Sequence, residues 1–585
     1  MKNIYYLLII LVLFSYSCED VLDKAPLDII SEDVVFEDPT LARAYINNLY
    51  SELSFLNRDG SGFEGTDPTS GLSDEGRQGR SWHPLYFAWK AGQLDANGDL
   101  LQLWNYGTIR KANEFLVKIE DSKSIPEDLK NEMVGQVRFA RAIVYFYMVK
   151  RYGGIPLITE PQAIDASEEE LFLPRNKEVE VYDFIIDEMD AIQSILPTTN
   201  DDIGMPTKYA ALALKSKAAM FAASIATWGE VQLNGVVGIP TNEAQRFWQA
   251  SYDASKEIIN SGIYSLYNQL PDDKAENFRK LFVDESNANK ERIFSWQLTG
   301  VNVTSNYDLF MSPFQFCPGW GGSNTSVYLE MVEEFENIDG TPGTFDVELA
   351  TSQPWDLREF FANKDPRFHA TIYYEGVVWK GEPIENWGGI ITPDGSKITE
   401  GFYEGIPAKG RSYTAGGYAG GVITGFNVLK YLDETLIPVT HEKTKIDFMV
   451  FRLGGILLNY AEAAFELGKS DDALWAVNQL RERAGIAQLT EITREKIRHE
   501  RKVELAFENH RWWDLRRWRT AVDAITRNFR GIYTFKDFST GKFVIEMNEN
   551  AQGGIPAAFL ERHYYLPIMP GRISNNPKLV ENPGY

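Results

Sequence analysis

Apolar side chains recur at helical spacing over most of the first 262 residues. The strongest case is 126–152, where apolar residues recur until Gly153 ends the pattern: Val134, Val137, Phe139, Ile143, Phe146 and Tyr147. Such spacing is typical of amphipathic helices that pack on a core. The pattern predicts six helices, at 40–53, 104–119, 126–152, 179–196, 206–228 and 242–260.

The pattern changes between residues 263 and 447. Glycine, proline, asparagine and aromatic residues crowd together there, as in 317–322 and 415–421, with short β-like runs at 372–374 and 377–379. Long loops in a compact protein are usually functional or disordered, and the aromatic density argues against disorder. We expect a loop-rich part with minor β structure.

Helical spacing returns after Asp447. It predicts helices at 448–467, 470–485, with Ser470 as the cap, and 493–509. Two antiparallel helices joined by a turn of two or three residues form a helical-repeat unit, here of about tetratricopeptide size.

The first eighteen residues have the pattern of an export signal. Lys2 precedes an apolar run at 4–14, and small residues lead to Cys18. That run is shorter than the roughly 20 residues that span a bilayer. We expect cleavage before Cys18 and lipid attachment to it, in preference to a plain secreted protein. Cys317 would then be a small packing residue rather than the disulfide partner of Cys18.

The amino-acid composition limits the classes of molecule that we expect this chain to bind. The formal net charge is -25 and no basic cluster interrupts it, so a phosphate backbone would be repelled and nucleic acid is not an expected partner. Aromatic residues make up 13% of the chain, enough to supply flat surfaces for a ligand as well as a core.

The order of several motifs resembles the SusD/RagB family of outer-membrane nutrient-binding lipoproteins. The resemblance extends over nearly the whole chain, and agreement in this order is more specific than any single motif. The matching blocks are VLDKAP at 21–26, RFARA at 138–142 with YGGIPL at 152–157, GMPTK at 204–208, LLNYAEA at 457–463, VNQLRERAG at 477–485, ERKVELAFENHRWWDLRRW at 500–518, LPI at 566–568 and NPGY at 582–585.

The resemblance implies a mainly α fold, a tetratricopeptide-like scaffold with a loop-rich, minor-β ligand-binding region inserted. We expect a signal peptide at 1–17 and a single domain at 18–585, with helical parts at 18–262 and 448–585 around the irregular part at 263–447. The resemblance also implies a lipid-anchored position on the outer face of the outer membrane and a SusC-like TonB-dependent transporter as partner. Gly454 and Gly455 depart from the family pattern, and we expect close packing or a bend there.

Glu500, Glu504 and Glu508 lie on one predicted helix face, where like charges repel unless cations intervene. A catalytic or metal-binding cluster is one interpretation. We favour an arginine–glutamate lattice that joins helices, because bidentate pairing suits the many nearby arginines. The candidate suppliers are Arg452, Arg481, Arg498, Arg501 and Arg511.

No motif predicts an enzyme or a cofactor. His510 and Asp514 lack an accompanying nucleophile motif, and no zinc spacing occurs. The run from Asp95 to Asp99 partly resembles a calcium loop, but its sixth and twelfth positions hold Leu100 and Tyr106. An Asx-rich turn explains it more simply.

Two aromatic loops are the candidate ligand site. A pyranose stacks its C–H faces on aromatic rings and directs its hydroxyls to acidic, amide and arginine side chains. The first loop spans 63–104 and the second 307–328, where Trp320 stands among glycines that cannot pack against it. The predicted ligand-binding residues are Asp67, Arg80, Trp82, Asn97, Tyr307, Phe314 and Trp320.

These features favour a protein that binds an oligosaccharide and delivers it to a transporter without catalysis. A peptide ligand is the alternative within the same role. A glycoside hydrolase would need two placed carboxylates, for which no motif is present. A helical-repeat adaptor would leave the Gly/aromatic middle unexplained.

Overall fold

The structure is a computed structural model, and it describes residues 35–57, 68–78, 90–96, 101–163, 165–298, 304–318, 321–413, 423–552 and 556–585. The described residues between 35 and 262 are mainly helical, and all six predicted helices begin within two residues of their expected starts. The helices in this part are Pro39–Ser51, Pro68–Leu72, Tyr106–Glu120, Glu127–Tyr152, Glu168–Leu171, Glu178–Ile192, Lys208–Trp228 and Ala244–Asn260.

The helix Glu127–Tyr152 is the centre of this part. Nearly all its side chains from Gly135 onward are buried, against the helices Tyr106–Glu120 and Glu178–Ile192. Two of its arginines share one carboxylate, since Arg138 and Arg141 lie 2.7 and 2.8 Å from Glu188. The packing of a helix that is buried on nearly all sides over its C-terminal two thirds therefore organises the N-terminal scaffold.

The second helical part begins after the irregular middle. Its first two helices, Leu453–Glu466 and Ser470–Ala484, are joined by three residues and pack against each other, and the first also packs on Ala244–Asn260. These helical pairs confirm the mainly α, tetratricopeptide-like fold. The predicted cap at Ser470 is wrong, because Lys469 is the N-cap and no side chain caps this helix. The remaining helices are Arg494–Glu504, Arg511–Arg517, Ala521–Ile525 and Pro570–Asn575.

The predicted helix at 448–467 is in part a strand. Residues Phe448–Arg452 pair antiparallel with the strand Arg292–Trp296, and the helix begins only at Leu453. Five consecutive buried residues fit a strand covered on both faces as well as they fit a buried helix. Periodicity therefore could not separate the two structures.

The predicted helix at 493–509 ends at Glu504. The ammonium of Lys430 donates to the carbonyls of Glu504 (3.3 Å) and Ala506 (2.8 Å), and Arg452 donates to the Glu504 carbonyl (3.0 Å). Phe507 and Asn509 adopt positive φ. Buried cations thus take the place of the next helical hydrogen bonds, and they come from distant parts of the chain.

The middle of the chain holds short helices and short strands. The main sheet is four-stranded and antiparallel, in the order Gly76–Gln78, Thr325–Val327, Phe426–Val428 and Ile372–Tyr374. A second has the order Phe543–Asn548, Gly531–Asp537, Ile390–Ile391 and Lys397–Ile398, and the hairpins are Val378–Trp379 with Glu382–Pro383 and Phe402–Tyr403 with Ile406–Pro407. The short helices are Lys274–Leu281, Tyr307–Met311, Leu329–Glu334, Val347–Ser352, Leu357–Phe360 and Pro366–Thr371.

A buried lattice of arginine and glutamate joins the C-terminal helices to the middle of the chain. Glu504 accepts from Arg367 (3.0 Å) and Arg452 (2.8 Å) and also pairs with Arg483. Glu500 and Glu508 extend the same lattice. Their partners are Arg367, Arg481, Arg452 and Lys430. The structural interpretation of the three glutamates is confirmed, and all of them are buried.

Of the two glycines that interrupt Leu453–Glu466, only Gly454 is closely packed. A Cβ on Gly454 would overlap the Arg452 guanidinium and lie 2.9 Å from Glu291 Oε1, whereas nothing lies within 4 Å of one on Gly455. The Gly454 N–H also donates to Glu291 Oε1 (3.3 Å). The first glycine therefore makes room for the lattice.

The adjacent glycines offer a matched pair of variants. Gly454→Ala is expected to lower the free energy of unfolding by about 3 kcal/mol, because the new methyl group displaces buried charges. Gly455→Ala is expected to raise it by about 1 kcal/mol through helix propensity. Urea denaturation of both variants measures the difference, and equal effects would contradict the packing account.

In the part of the chain that the structure describes, no helix has the length and apolar character needed to cross a membrane.

Candidate functional site

The main sheet brings together the chain segments that lead into the two aromatic loops. Gln78, at the end of its strand, pairs with Thr325, at the start of the neighbouring strand. In sequence, the segment with Arg80 and Trp82 follows Gln78 directly, and Trp320 comes five residues before Thr325. Because the strands are antiparallel, Gln78 and Thr325 lie at the same end of the sheet.

Backbone hydrogen bonds close the base of the second loop. The N–H groups of Gly322, Ser323 and Asn324 donate to the carbonyls of Leu309 (2.7 Å), Ser312 (2.9 Å) and Phe310 (2.8 Å). A loop whose two ends are tied in this way forms a compact unit on the surface. Its base is therefore fixed to the short helix Tyr307–Met311.

Glycine is required where the loop folds back on itself. Gly322 has a φ of +83°, and a Cβ there would lie 2.7 Å from Phe314 Cα and 3.0 Å from the Ser312 carbonyl. Gly321 is equally close to Leu309, since its Cβ would lie 2.6 Å from that carbonyl. Any larger residue would push the two sides of the loop apart.

A Gly322→Ala variant is expected to weaken oligosaccharide binding by about tenfold, because it combines a strained φ with a backbone clash at the loop base. Gly376→Ala is the control, since its φ is +82° but nothing lies within 4 Å of the added Cβ. It is expected to bind normally. Calorimetric titration of both variants compares them, and equal affinity would show that the loop base is not critical.

A polar cluster from the middle of the chain lies beside Phe314. The side-chain carbonyl of Gln315 accepts from the Glu385 N–H (2.8 Å) and the Ser412 hydroxyl (3.0 Å). The Arg411 guanidinium is half-exposed and pairs with Glu385 (2.9 Å) and Glu382 (2.9 Å). These side chains join the second loop to a β hairpin and place charged groups next to it.

Aromatic rings surround the same cluster. Phe314 and Tyr413 are partly buried, and the Tyr413 ring packs so closely on Gly388 that a Cβ there would lie 2.9 Å from it. Trp387 is buried and its indole N–H has no hydrogen-bond partner among the described residues. Aromatic faces beside arginine and carboxylate groups suit a sugar ring with hydroxyls at its edge.

A buried carboxyl group lies behind this surface. Glu375 accepts from the Asn386 N–H and is almost completely inaccessible. Burial raises the pKa of Glu375 well above its ordinary value. Burial therefore favours the protonated form of this carboxyl group, which supports the hairpin from within.

The structure describes two of the predicted ligand-binding residues. Phe314 is partly exposed at the loop base, and its contact with a ligand stays a prediction. Tyr307 is fully buried and its hydroxyl donates to the Lys430 carbonyl (2.9 Å), so its ring supports the loop from the core and cannot reach a ligand. The other predicted residues lie outside the described ranges: Asp67, Arg80, Trp82, Asn97, Trp320 and the lipidation residue Cys18.

Two charged residues of the first loop, Asp74 and Arg77, have structural roles. Asp74 is buried and pairs with Arg511 (2.8 Å) and Lys502 (2.9 Å), which hold its pKa far below the ordinary value. Arg77 donates to the carbonyls of Ala551 (2.7 Å) and Gln78 (3.1 Å). In the second loop, the half-buried Cys317 thiol donates to the Leu309 carbonyl (3.4 Å), which fits a packing residue.

Sequence reasoning did not single out Gln315 within the second loop, and it missed Glu385, Arg411 and Tyr413 as neighbours of that loop. They lie up to about a hundred residues apart, and none belongs to a recognisable motif. The sequence signal that was available was the turn-rich composition around them.

The His510–Asp514 pair is not arranged as a catalytic dyad. Asp514 accepts from Arg501 (2.7 Å) and Arg517 (2.8 Å), and burial lowers the pKa of His510 well below its ordinary value. Within the described ranges, no group of three or more histidine, cysteine and acidic side chains is arranged to hold a metal ion.

Two family models match the chain. The model described as "SusD family" matches residues 290–585, and the one described as "Starch-binding associating with outer membrane" matches residues 31–220. Among curated proteins, the SusD-like protein P2 of Formosa agariphila is 24% identical over the full length of both chains. A SusD-like protein of Bacteroides ovatus is 23% identical, over 74% of this chain and 68% of its own.

Solved structures show the same fold. A SusD-like protein from Bacteroides fragilis is 26% identical, with a TM-score of 0.73 over 96% of this chain and all of its own. A SusD-like carbohydrate binding protein from the same species is 22% identical, with a TM-score of 0.71 over 94% of this chain and all of its own.

Proposed function

This chain is a member of the SusD family, and from that membership we propose that it binds an oligosaccharide at the cell surface and delivers it to a SusC-like TonB-dependent outer-membrane transporter. The observation that carries the ligand part of this proposal is the pairing of Gln78 with Thr325. This pairing brings two strand ends together at one end of one sheet. In sequence, these strand ends adjoin two distant loops, and both loops contain tryptophan.

The proposed ligand surface combines residues of both loops with the cluster beside Phe314. Trp82 and Trp320 would stack on sugar rings, and Asp67, Arg80 and Asn97 would hydrogen-bond to hydroxyls. Phe314, Tyr413 and Arg411 extend the surface along the hairpin. A carbohydrate ligand is supported by the family description and by the solved relative that is named as carbohydrate binding.

We propose binding without hydrolysis. Hydrolysis of a glycosidic bond needs two carboxyl groups about 5–10 Å apart on either side of the bond. Around Phe314, the half-buried acid Glu385 is engaged by Arg411, and Glu375 is buried and closed off by Asn386. Neither acid is free to take the part of a general acid facing a ligand.

Incubation of the purified protein with its oligosaccharide is expected to release no reducing sugar, while the same preparation binds that oligosaccharide saturably. A reducing-end assay and a titration on one sample compare the two properties. Turnover that stays proportional to protein through a second purification would show that the protein is an enzyme.

Anchoring through Cys18 is a separate part of the proposal. A lipid on this residue would hold the chain at the membrane while the binding surface stays in water. Replacement of Cys18 by serine should release the protein from whole cells into the medium, and metabolic labelling with a fatty acid should mark only the wild-type protein. Labelling of the variant would contradict this position of the anchor.

A further inference from the structure

A cavity lies between the end of the helix Lys208–Trp228 and the C-terminal segment. It has a volume of about 570 Å³, within the usual range for small-molecule sites, and it is open to solvent. It shares no residue with the surface around Phe314. Its lining includes Trp228, Val237, Arg519, Arg562, Tyr564 and Tyr565.

The arginines of this cavity differ from most others in the chain. Within the described ranges, no carboxylate lies at ion-pair distance from Arg519 or Arg562, although the chain carries a net charge of -25 and most of its other arginines are paired. Glu230 and Glu561 also line the cavity, but neither pairs with an arginine. An acidic protein that leaves two arginines unpaired in one cavity has left a place for an external anion.

Aromatic packing holds Arg519 in position. Its guanidinium lies 4.7 Å from the centre of the Tyr564 ring and 4.9 Å from that of Tyr565. It donates to the Tyr565 hydroxyl (2.8 Å) and to the Arg516 carbonyl (3.1 Å). An arginine has five N–H groups, so donors remain for a ligand after these two bonds.

A buried cation behind the cavity adds to its positive character. Arg516 lines a smaller cavity that shares Arg519, Tyr564 and Tyr565 with the first. It is 2% exposed, and its Nε and one Nη have no hydrogen-bond partner among the described residues. Burial lowers the pKa of Arg516 to about 9, so it remains largely protonated near neutral pH.

One buried acid opposes these cations. Glu178 accepts from the Tyr565 hydroxyl (2.8 Å) and from the Gly238 N–H (2.6 Å) through one carboxyl oxygen, and the other oxygen has no partner in the part of the chain that the structure describes. Burial raises the pKa of Glu178 to about 7. The Tyr565 hydroxyl therefore connects Arg519 to an acid that is ionised only in part near neutral pH.

We propose that this cavity is a second binding site, which takes the carboxylate of an acidic sugar through Arg519 and Arg562, with the sugar ring against Tyr564 and Trp228. The sugar scaffold rests on the proposed function, whereas the preference for an anion rests on the unpaired arginines. In this arrangement the two guanidinium groups bind the carboxylate, and the sugar ring occupies part of the cavity beside them.

Calorimetric or NMR titration with D-glucuronate, in low salt and at about pH 8, tests the proposal, with D-glucose as the neutral control. D-glucuronate is expected to bind at least about tenfold more tightly than D-glucose, and Arg519→Gln and Arg562→Gln each to weaken it by about tenfold. Glu178→Gln removes the opposing negative charge, so this variant is expected to bind D-glucuronate more tightly than the wild type. Arg562 is exposed, so its variant tests the site even if the Arg519 variant folds poorly.

Arg527→Gln is the matched control, because Arg527 is also exposed and without an ion pair but lies outside the cavity. It should bind D-glucuronate like the wild type. Equal binding of D-glucuronate and D-glucose, or unchanged binding by both cavity variants, would overturn the proposal. A Trp320→Ala variant that keeps D-glucuronate binding separates this site from the proposed oligosaccharide surface.

Discussion

A Glu504→Gln variant is expected to lose about 3–5 kcal/mol of folding free energy, because it leaves three buried arginines without their shared carboxylate. Glu504 is fully buried, and Arg367, Arg452 and Arg483 all donate to it. These cations hold the pKa of Glu504 well below its ordinary value of 4.5. A domain is typically stable by only about 5–15 kcal/mol, so this loss is a large part of the total.

Urea denaturation at neutral pH measures this loss, with Glu495→Gln as the control. Glu495 lies in the same helix but is exposed, and its replacement is expected to cost at most about 1 kcal/mol. Because the folded-state pKa of Glu504 is depressed, its contribution is present above pH 4.5 and is lost as the pH falls further. The difference in the free energy of unfolding between Glu504→Gln and the wild type should therefore become smaller in acid. A gap below about 1 kcal/mol at neutral pH would show that the lattice does not stabilise the fold.

A Trp320→Ala variant is expected to weaken oligosaccharide binding by about 30-fold or more, which corresponds to about 2 kcal/mol for a central aromatic contact. Its thermal unfolding should stay close to that of the wild type, since the loop base is held by backbone hydrogen bonds outside Trp320. Isothermal titration calorimetry with the cognate oligosaccharide gives the affinity.

Trp475→Ala is the matched control for Trp320. Trp475 is 45% exposed on the helix Ser470–Ala484, so its removal deletes an exposed indole from the helical scaffold. Its affinity for the oligosaccharide should be unchanged. Trp82→Ala should resemble Trp320→Ala, because the strands that precede and follow these residues are paired. Unchanged affinity in both loop variants would remove the two loops from the ligand surface.

The helical scaffold was the most predictable part of this chain. Helices such as Glu127–Tyr152 have a long apolar period and clear ends, and these signals are local. The segment Phe448–Arg452 was assigned to a helix wrongly, because its strand partner Arg292–Trp296 is about 150 residues away. Only the tertiary pairing distinguishes a short buried strand from the first turns of a helix.

The lattice was predicted in kind but not in detail. Arg452 and Arg481 contact the three glutamates as expected, while Arg501 and Arg511 pair with Asp514 and Asp74. Arg498 stacks between Trp228 and Trp518. The partners that sequence reasoning missed are Arg367, Lys430, Arg483 and Glu291. Spacing along one helix shows which charges need partners, but the partners come from distant segments.

The candidate site, too, was predictable from the sequence only in part. Composition identified two aromatic loops, and the pairing of Gln78 with Thr325 gives a structural reason to consider them together. Tyr307 was assigned to the ligand surface, yet it is buried in the core, because an aromatic residue beside a glycine-rich loop can face either way. Gln315, Glu385 and Arg411 became visible only through their contacts.

The most direct test of the central claim is calorimetric titration of the intact protein with oligosaccharides that a glycan array has selected, alongside peptides of similar length. We expect an oligosaccharide to bind saturably to the intact protein. This binding should be lost in Trp320→Ala and in Trp82→Ala and kept in Trp475→Ala. Saturable binding of peptides with no binding of any oligosaccharide would contradict it, as would oligosaccharide binding that both loop variants retain in full.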